Sequence, residues 1–224
     1  MKEHGLLFTA PMVRALLAGT KTQTRRLVKP QPPAGYEFNE WVVEYPGTIS
    51  ARLENKTPPL GMWTKRAPHG PVGRVIYAKE TWCRAEAWYP AASVAYRADY
   101  GDHEWKKCEP GVCSRWRTGV PSFDCMACNF TRWVPSIHMP RWAARLWFEV
   151  TRVRLERVQA ITSRDAWDEG VRCGCLKPTP FCAGGIVAYR KLWDEINGSG
   201  SWASNPWVWV YDFKRIAKPA LVTP

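Results

Sequence analysis

The stretch Gly19-Thr20-Lys21-Thr22-Gln23-Thr24-Arg25-Arg26 sets an amine, hydroxyls and two guanidiniums directly after a segment that reads as a short helix. Taken alone it is an anion-binding corner or a catalytic one. Upstream, Leu6 to Thr9 is expected to form a first strand. Thr9 and Pro11 are suited to open a helix with Met12, Ala15 and Leu16 facing inward, and Gly19 is placed to end it. Lys21 to Arg26 then leaves the helix, as a turn that forms a site or as a solvated loop. Residues three apart share a face on a helix or turn but oppose each other on a strand, so Lys21 and Thr24 converge only if the segment turns.

Working outward, residues 29 to 71 carry Pro30, Pro32, Pro33, Pro46, Pro58, Pro59 and Pro68 and read as an irregular excursion, with a hairpin around Trp41 to Tyr45. Gly73 to Trp82 is expected to be a central strand with Glu80 at the end of its buried face. Residues 84 to 133 form a second excursion, with weak strand character at Ser93 to Tyr96. Leu146 to Val158 is a long strand whose apolar parity changes, which predicts a bulge near Thr151 and Arg152. Thr162 and Asp165 form a capping-box pattern opening a short helix that stops near Gly170. Ile186, Tyr189, Trp193 and Ile196 follow helical spacing, with Gly198 as the stop. Trp207 to Phe213 is apolar on both faces until Asp212 and belongs inside a sheet, and the tail from 215 to 224 is expected to fray. The order predicts a compact α+β protein on a curled sheet or small barrel: one domain over 1–224, with insertions at about 31–70 and 84–133.

Of 224 residues, 46% are apolar and 23% charged, which excludes a largely disordered chain. The charged start and the lack of an apolar run near the roughly 20 residues of a membrane span point to a cytoplasmic protein, monomeric by default, with no membrane partner. Thirty-two Lys+Arg against 20 Asp+Glu leave a formal charge of +12, and a nucleic acid is the matching class of partner. Fourteen tryptophans add stacking capacity, although most are expected in the core. Arg132, Trp133, His138, Arg141 and Trp142 interleave cations with indoles in a way suited to phosphate contact plus stacking; the alternative is a solvated basic face.

The Gly-x-Lys-x-x-Thr-x-Arg pattern of Gly19, Lys21, Thr24 and Arg26, followed by Glu80 in AKETW, resembles the ASCH domain of the PUA-like superfamily. PMVRALLAGTKTQTRR, WVPSIHMPRWAARL and LWDEINGSGSWASNPWVWVYDF look like segments of ASCH-containing proteins of phages and prophages. The resemblance covers about half the chain. Residues 31 to 70 and 84 to 131 match weakly, and Gly73-Arg-Val-Ile departs from the Gly-Asp of many relatives. It implies a small PUA-like β-barrel and one of two functions. Some relatives bind RNA; others resemble amidohydrolases that remove the acetyl group of N4-acetylcytidine with a Lys, a Thr and a Glu. By motif these are Lys21, Thr24 and Glu80, and the ligand is a free nucleoside, RNA or modified phage DNA; if Glu80 meets Lys21 and Thr24, Arg25 and Arg26 are expected to contact the phosphates of such a nucleic acid.

Amide hydrolysis needs a nucleophile, a base and donors for the oxyanion. Thr24 can attack if Lys21 is neutral, or Glu80 can activate a water while Lys21 stays charged. A structural salt bridge is the competing role for Glu80.

Eight cysteines without a secretion signal argue against a disulfide framework. Cys108-x4-Cys113 and Cys125-x2-Cys128 have the two-pair spacing of a four-thiolate structural zinc site. Cys173, Cys175 and Cys182 form a further group that lacks a fourth ligand.

Overall fold

Alternating apolar residues and tryptophan-rich runs make this mostly a strand protein with few helices. The computed structural model describes residues 3–44, 48–57, 60–84, 94–100, 133–175 and 179–220. Two compact units emerge. One comprises Met1–His4, Ala15–Ile76 and Leu146–Pro224, the other Gly5–Arg14 and Tyr77–Arg145.

In the first unit β9 (Trp147–Arg157) and β10 (Trp207–Ile216) pair antiparallel, and β10 pairs on its other side with β2 (Gln23–Leu27). Trp207 to Tyr211 are all buried, the signature of a strand covered on both faces. Strand β10 runs three residues past Phe213, so the tail starts later than its composition suggests. The anticipated bulge is present: Asp212 faces Arg152 and Phe213 faces Val150, which leaves Thr151 as the extra residue. The extra residue moves the apolar set from Phe148 and Val150 to Val153 and Leu155 while all four stay buried.

Helix α2 (Ser163–Asp168) opens on the capping box read from the sequence. The Asp165 N–H donates to Thr162 Oγ1 at 3.1 Å, and the Thr162 N–H donates to Asp165 Oδ2 at 3.0 Å. Thr162→Ala is expected to lower unfolding free energy by about 1 kcal/mol, read from urea denaturation midpoints. Helix α3 (Gly184–Asn197) buries Tyr189 and Trp193 against Trp202, Val208, Val210, Val158, Ile161 and Ala166. Ile186 packs at the edge of this cluster, while Ile196 is half exposed, so the apolar stripe ends a turn early. Gly198 closes α3 at φ +101°, a conformation that favours glycine.

Two expectations change here. Residues 31 to 70 contain a three-stranded antiparallel sheet of β3 (Tyr36–Glu44), β4 (Thr48–Asn55) and β5 (Gly61–Arg66) instead of an irregular excursion. In sequence the prolines fall between these strands or just outside them, where they punctuate without removing ladder hydrogen bonds. Gln23 to Leu27 is a strand, neither a turn on which Lys21 and Thr24 converge nor a solvated loop, because β10 offers its edge to it.

The second unit takes β1 (His4–Leu7) from Gly5 on and β6 (Val75–Lys79) from Tyr77 on; β1 runs on into Phe8, whose N–H bonds to the Lys79 carbonyl at 3.0 Å. Strands β7 (Trp82–Arg84) and β8 (Val94–Tyr96) pair antiparallel, and Trp82 also bridges Val134. Helix α1 (Ala10–Leu17), whose residues from Ala15 on belong to the first unit, buries Val13 and Leu16; Val13 takes the inward place expected of Met12. Within the second unit β1 neighbours β6, and within the first the strand order is β9-β10-β2. Among the described residues the sheets do not close into a barrel, and the class is α+β.

Candidate functional site

Lys21 sits between α1 and β2. Gly19, at φ +69°, ends the helical turn, and the N–H groups of Thr20 and Lys21 both return to the Ala15 carbonyl. From Lys21 onward the chain is extended: Lys21 forms a bridge with Glu169, and the Thr22 N–H bonds to the Asp168 carbonyl at 2.8 Å. Strand alternation then sends Lys21, Gln23 and Arg25 to one face, where Arg25 shares Glu169 with Lys21 and Asp165 with Gln23.

These side chains form a buried ionic network. Lys21 Nζ lies 2.6 Å from Glu169 Oε2 and 2.9 Å from the Glu169 carbonyl, and both side chains are almost wholly excluded from solvent, at 0% and 3% exposure. Arg25 reaches Glu169 Oε1 at 3.4 Å, Glu156 at 3.3 Å and Asp165 at 3.5 Å, and donates to Gln23 Oε1. Gln23 Nε2 donates to Asp212 at 2.6 Å and to Asp165 at 3.1 Å. Arg154 contacts Glu156, Asp165 and Asp212 at 3.0, 3.4 and 3.3 Å. Glu169 therefore bridges the two buried cations Lys21 and Arg25.

Burial pushes the Lys21 pKa down, since an ammonium without water is costly; Glu169 opposes this, and Arg26 and Arg25 reinforce it. For Asp165, burial alone would raise the pKa, but two hydrogen bonds from Thr162, with Arg25 and Gln23, hold it below the usual carboxylate range. Burial drives Tyr189 well above the usual phenol range.

Gly170, at φ +83°, completes the seat. A Cβ there would stand 2.9 Å from Ala15 Cβ and 3.1 Å from Lys21 Cβ, so only glycine lets the chain after α2 approach the Lys21 stem this closely.

Thr24 is buried and pairs across the strands with Tyr211. Alternation places it on the face opposite Gln23 and Arg25. On that other face the Tyr211 hydroxyl accepts from the His69 N–H at 3.3 Å, and their rings stand edge to face at 5.5 Å. Burial, then Arg26 and His4, lowers the His69 pKa to about 4. The unfolded chain binds the proton first, near pH 6.5, so stability is full above that pH and falls as pH drops toward 4. A loss of about 3 kcal/mol over this window is expected in urea titrations, and His69→Gln should flatten it.

Glu80 is 1% exposed and makes a two-point contact with Arg145, Nε to Oε1 at 2.9 Å and Nη2 to Oε2 at 3.0 Å. Arg145 also binds Asp99 through two 2.8 Å contacts and lies 3.9 Å above the Tyr96 ring. Burial raises the Glu80 pKa against the pull of Arg145. The carboxylate at Lys21 is thus Glu169, which the motif did not single out, while Glu80 is held by an arginine.

One local signal did point to Glu169: an acid at the C-terminal end of a helix opposes the helix dipole and implies a cationic partner. Arg25 corrects a second expectation. Its guanidinium is 0% exposed and engaged by three carboxylates, so it is not placed to receive phosphate.

In the second unit Trp142 is 47% exposed and rests edge-on against Trp82 at 5.5 Å, and Arg97 lies 5.7 Å from the Trp133 ring. His138 is exposed and Arg141 partly buried. Arg132 and the cysteines 108, 113, 125 and 128 lie outside the described residues. Cys173, Cys175 and Cys182 are close together, all three sulfurs within 4.8 Å of one another, and could bind a metal ion. No helix among the described residues is long and apolar enough to cross a membrane. Comparison with protein-family models, with curated proteins and with solved structures finds no match.

Proposed function

We propose that this chain is a cytoplasmic amidohydrolase of N4-acylated cytosine nucleosides, on a curled PUA-like sheet, with Lys21 and Glu169 as its working pair. The observation that carries this reading is the buried 2.6 Å contact between the Lys21 amine and the Glu169 carboxylate. The ASCH-like resemblance supplies the reaction class, a lysine, a threonine and a glutamate acting on an acylated base.

The chemistry follows from what each group can do. Glu169 takes a proton from an attacking water, and Lys21 donates a hydrogen bond to the oxyanion and passes a proton to the leaving N4 amine. Desolvation of Lys21 supports proton transfer, because it moves the amine toward the pH at which it both holds and releases a proton. Strand parity favours water over Thr24 as the nucleophile, since Thr24 belongs to the opposite face. Both working groups are buried, so substrate entry requires a local opening. A structural zinc belongs to this reading through thiolate ligands such as Cys108, Cys113, Cys125 and Cys128, and no step of hydrolysis runs through it.

The test is release of acetate and cytidine from N4-acetylcytidine by the purified protein, compared with Glu169→Gln and Glu80→Gln. Turnover lost in Glu169→Gln and kept in Glu80→Gln supports the assignment. The opposite pattern returns the carboxylate role to Glu80, and no turnover by the wild type on any N-acylated cytosine nucleoside sinks the enzyme reading.

A second reading, a non-catalytic reader of RNA or DNA, is favoured by the exposed Trp142 and by the net charge of +12. It predicts binding to single strands that weakens with salt and with Trp142→Ala, without turnover.

A further inference from the structure

The described part of the connection from α2 to α3 has little apolar anchorage beyond Val171, which packs partly buried against the core cluster. Among its described residues between 171 and 183 only Cys173 is buried, and Phe181 is 81% exposed. Yet it brings three cysteines together. Cys175 and Cys182 Sγ stand 3.2 Å apart, and the Cys173 sulfur lies within 4.8 Å of both. All three are free thiols.

They gather at the start of α3. A Cβ on Gly184 would stand 2.9 Å from Cys173 Cβ, 3.5 Å from Cys182 Sγ and 3.6 Å from Cys175 Sγ, so the helix's first residue must be glycine-sized for the sulfurs to close over it. Ala183, the N-cap residue, gives no side-chain hydrogen bond to the opening turn. That helix end favours negative charge, as three thiols that lose protons to a cation would provide.

Size decides whether one ion can serve all three. Zinc–sulfur bonds of about 2.3 Å in a tetrahedron set sulfurs about 3.8 Å apart. The Cys175–Cys182 spacing of 3.2 Å falls below this value and the other two lie within 4.8 Å, so the trio meets a common ion with shifts of about 1 Å or less. Soft thiolates select zinc over magnesium or calcium. We propose that Cys173, Cys175 and Cys182 bind a zinc ion, with the fourth position open toward solvent on the side of the exposed Cys175. The ion would clamp the α2–α3 connection and add to the slight anchorage that its described side chains give. This proposal is independent of the hydrolase reading.

The full chain, reduced and purified without oxygen, is loaded with zinc or cobalt(II), and bound metal per chain is counted. Cys175→Ser is expected to lose one equivalent relative to the wild type and to remove part of the thiolate-to-cobalt absorption. Cys175→His, which restores a ligand, is expected to regain the equivalent. Cys175 is exposed, so both variants should fold, and far-ultraviolet circular dichroism checks this. Because the comparison is a difference, metal held by the cysteines at 108 to 128 cancels. An unchanged metal count in Cys175→Ser overturns the proposal, as does a reduced, folded wild type that binds no metal lost with Cys175. A Cys175–Cys182 disulfide that forms in zinc-loaded protein also overturns it.

Discussion

Lys21→Met is expected to lower turnover of N4-acetylcytidine by about 1000-fold or more and to lower unfolding free energy by about 3–5 kcal/mol. Removing the amine strips Glu169 of its nearest donor at a site with 3% exposure, and the remaining contact to Arg25 is longer, at 3.4 Å. The stability loss comes from a carboxylate left buried without adequate compensation, more than from the worth of the pair itself. Lys21→Met/Glu169→Gln should therefore be more stable than Lys21→Met alone while remaining inactive. A double-mutant cycle of denaturation midpoints measures that coupling. If the single and double variants unfold at the same midpoint, Lys21 and Glu169 do not interact as described.

Arg25→Met carries the next largest effect. It removes the cation shared by Glu156, Asp165 and Glu169, and a loss of about 4 kcal/mol is expected at neutral pH. Arg25→Lys should recover little of it, because a single ammonium cannot reproduce a fork that reaches three carboxylates. The pH dependence gives a second readout. Asp165 has a lowered folded-state pKa, so its contribution is present above the unfolded value and is lost as pH falls through the folded one. Without Arg25 that loss begins at higher pH, and the acid-unfolding midpoint should move upward. An unchanged midpoint would mean that Thr162, Gln23 and Arg154 hold Asp165 without Arg25.

What was legible in the sequence was what local chemistry fixes. The Thr162–Asp165 box, the Tyr189–Trp193 stripe with its glycine stop, the parity change around Thr151 and the doubly buried β10 are each written in a few adjacent residues. The three strands between 36 and 66 were hidden by prolines that flank them. Strand β2 was hidden by its composition, since two arginines and a buried glutamine make a poor strand until β10 and a set of carboxylates receive them. The pairing of Lys21 with Glu169 spans 148 residues of sequence, beyond the reach of any periodicity. The motif supplied the lysine, and the fold supplied its carboxylate.

The alternation of Lys21, Gln23 and Arg25, with Gly170 pressed against the lysine stem, limits how this chain can vary in length. A single-residue insertion or deletion between Lys21 and Arg25 would turn one of the two cations away from Glu169, whereas gains or losses in the segments outside these contacts leave the register intact. Distant relatives should therefore be sought by a fixed Lys-x-Gln-x-Arg paired with a later Thr-x-x-Asp-x-x-x-Glu-Gly, the spacing of Thr162, Asp165, Glu169 and Gly170, with any length of chain allowed between the two.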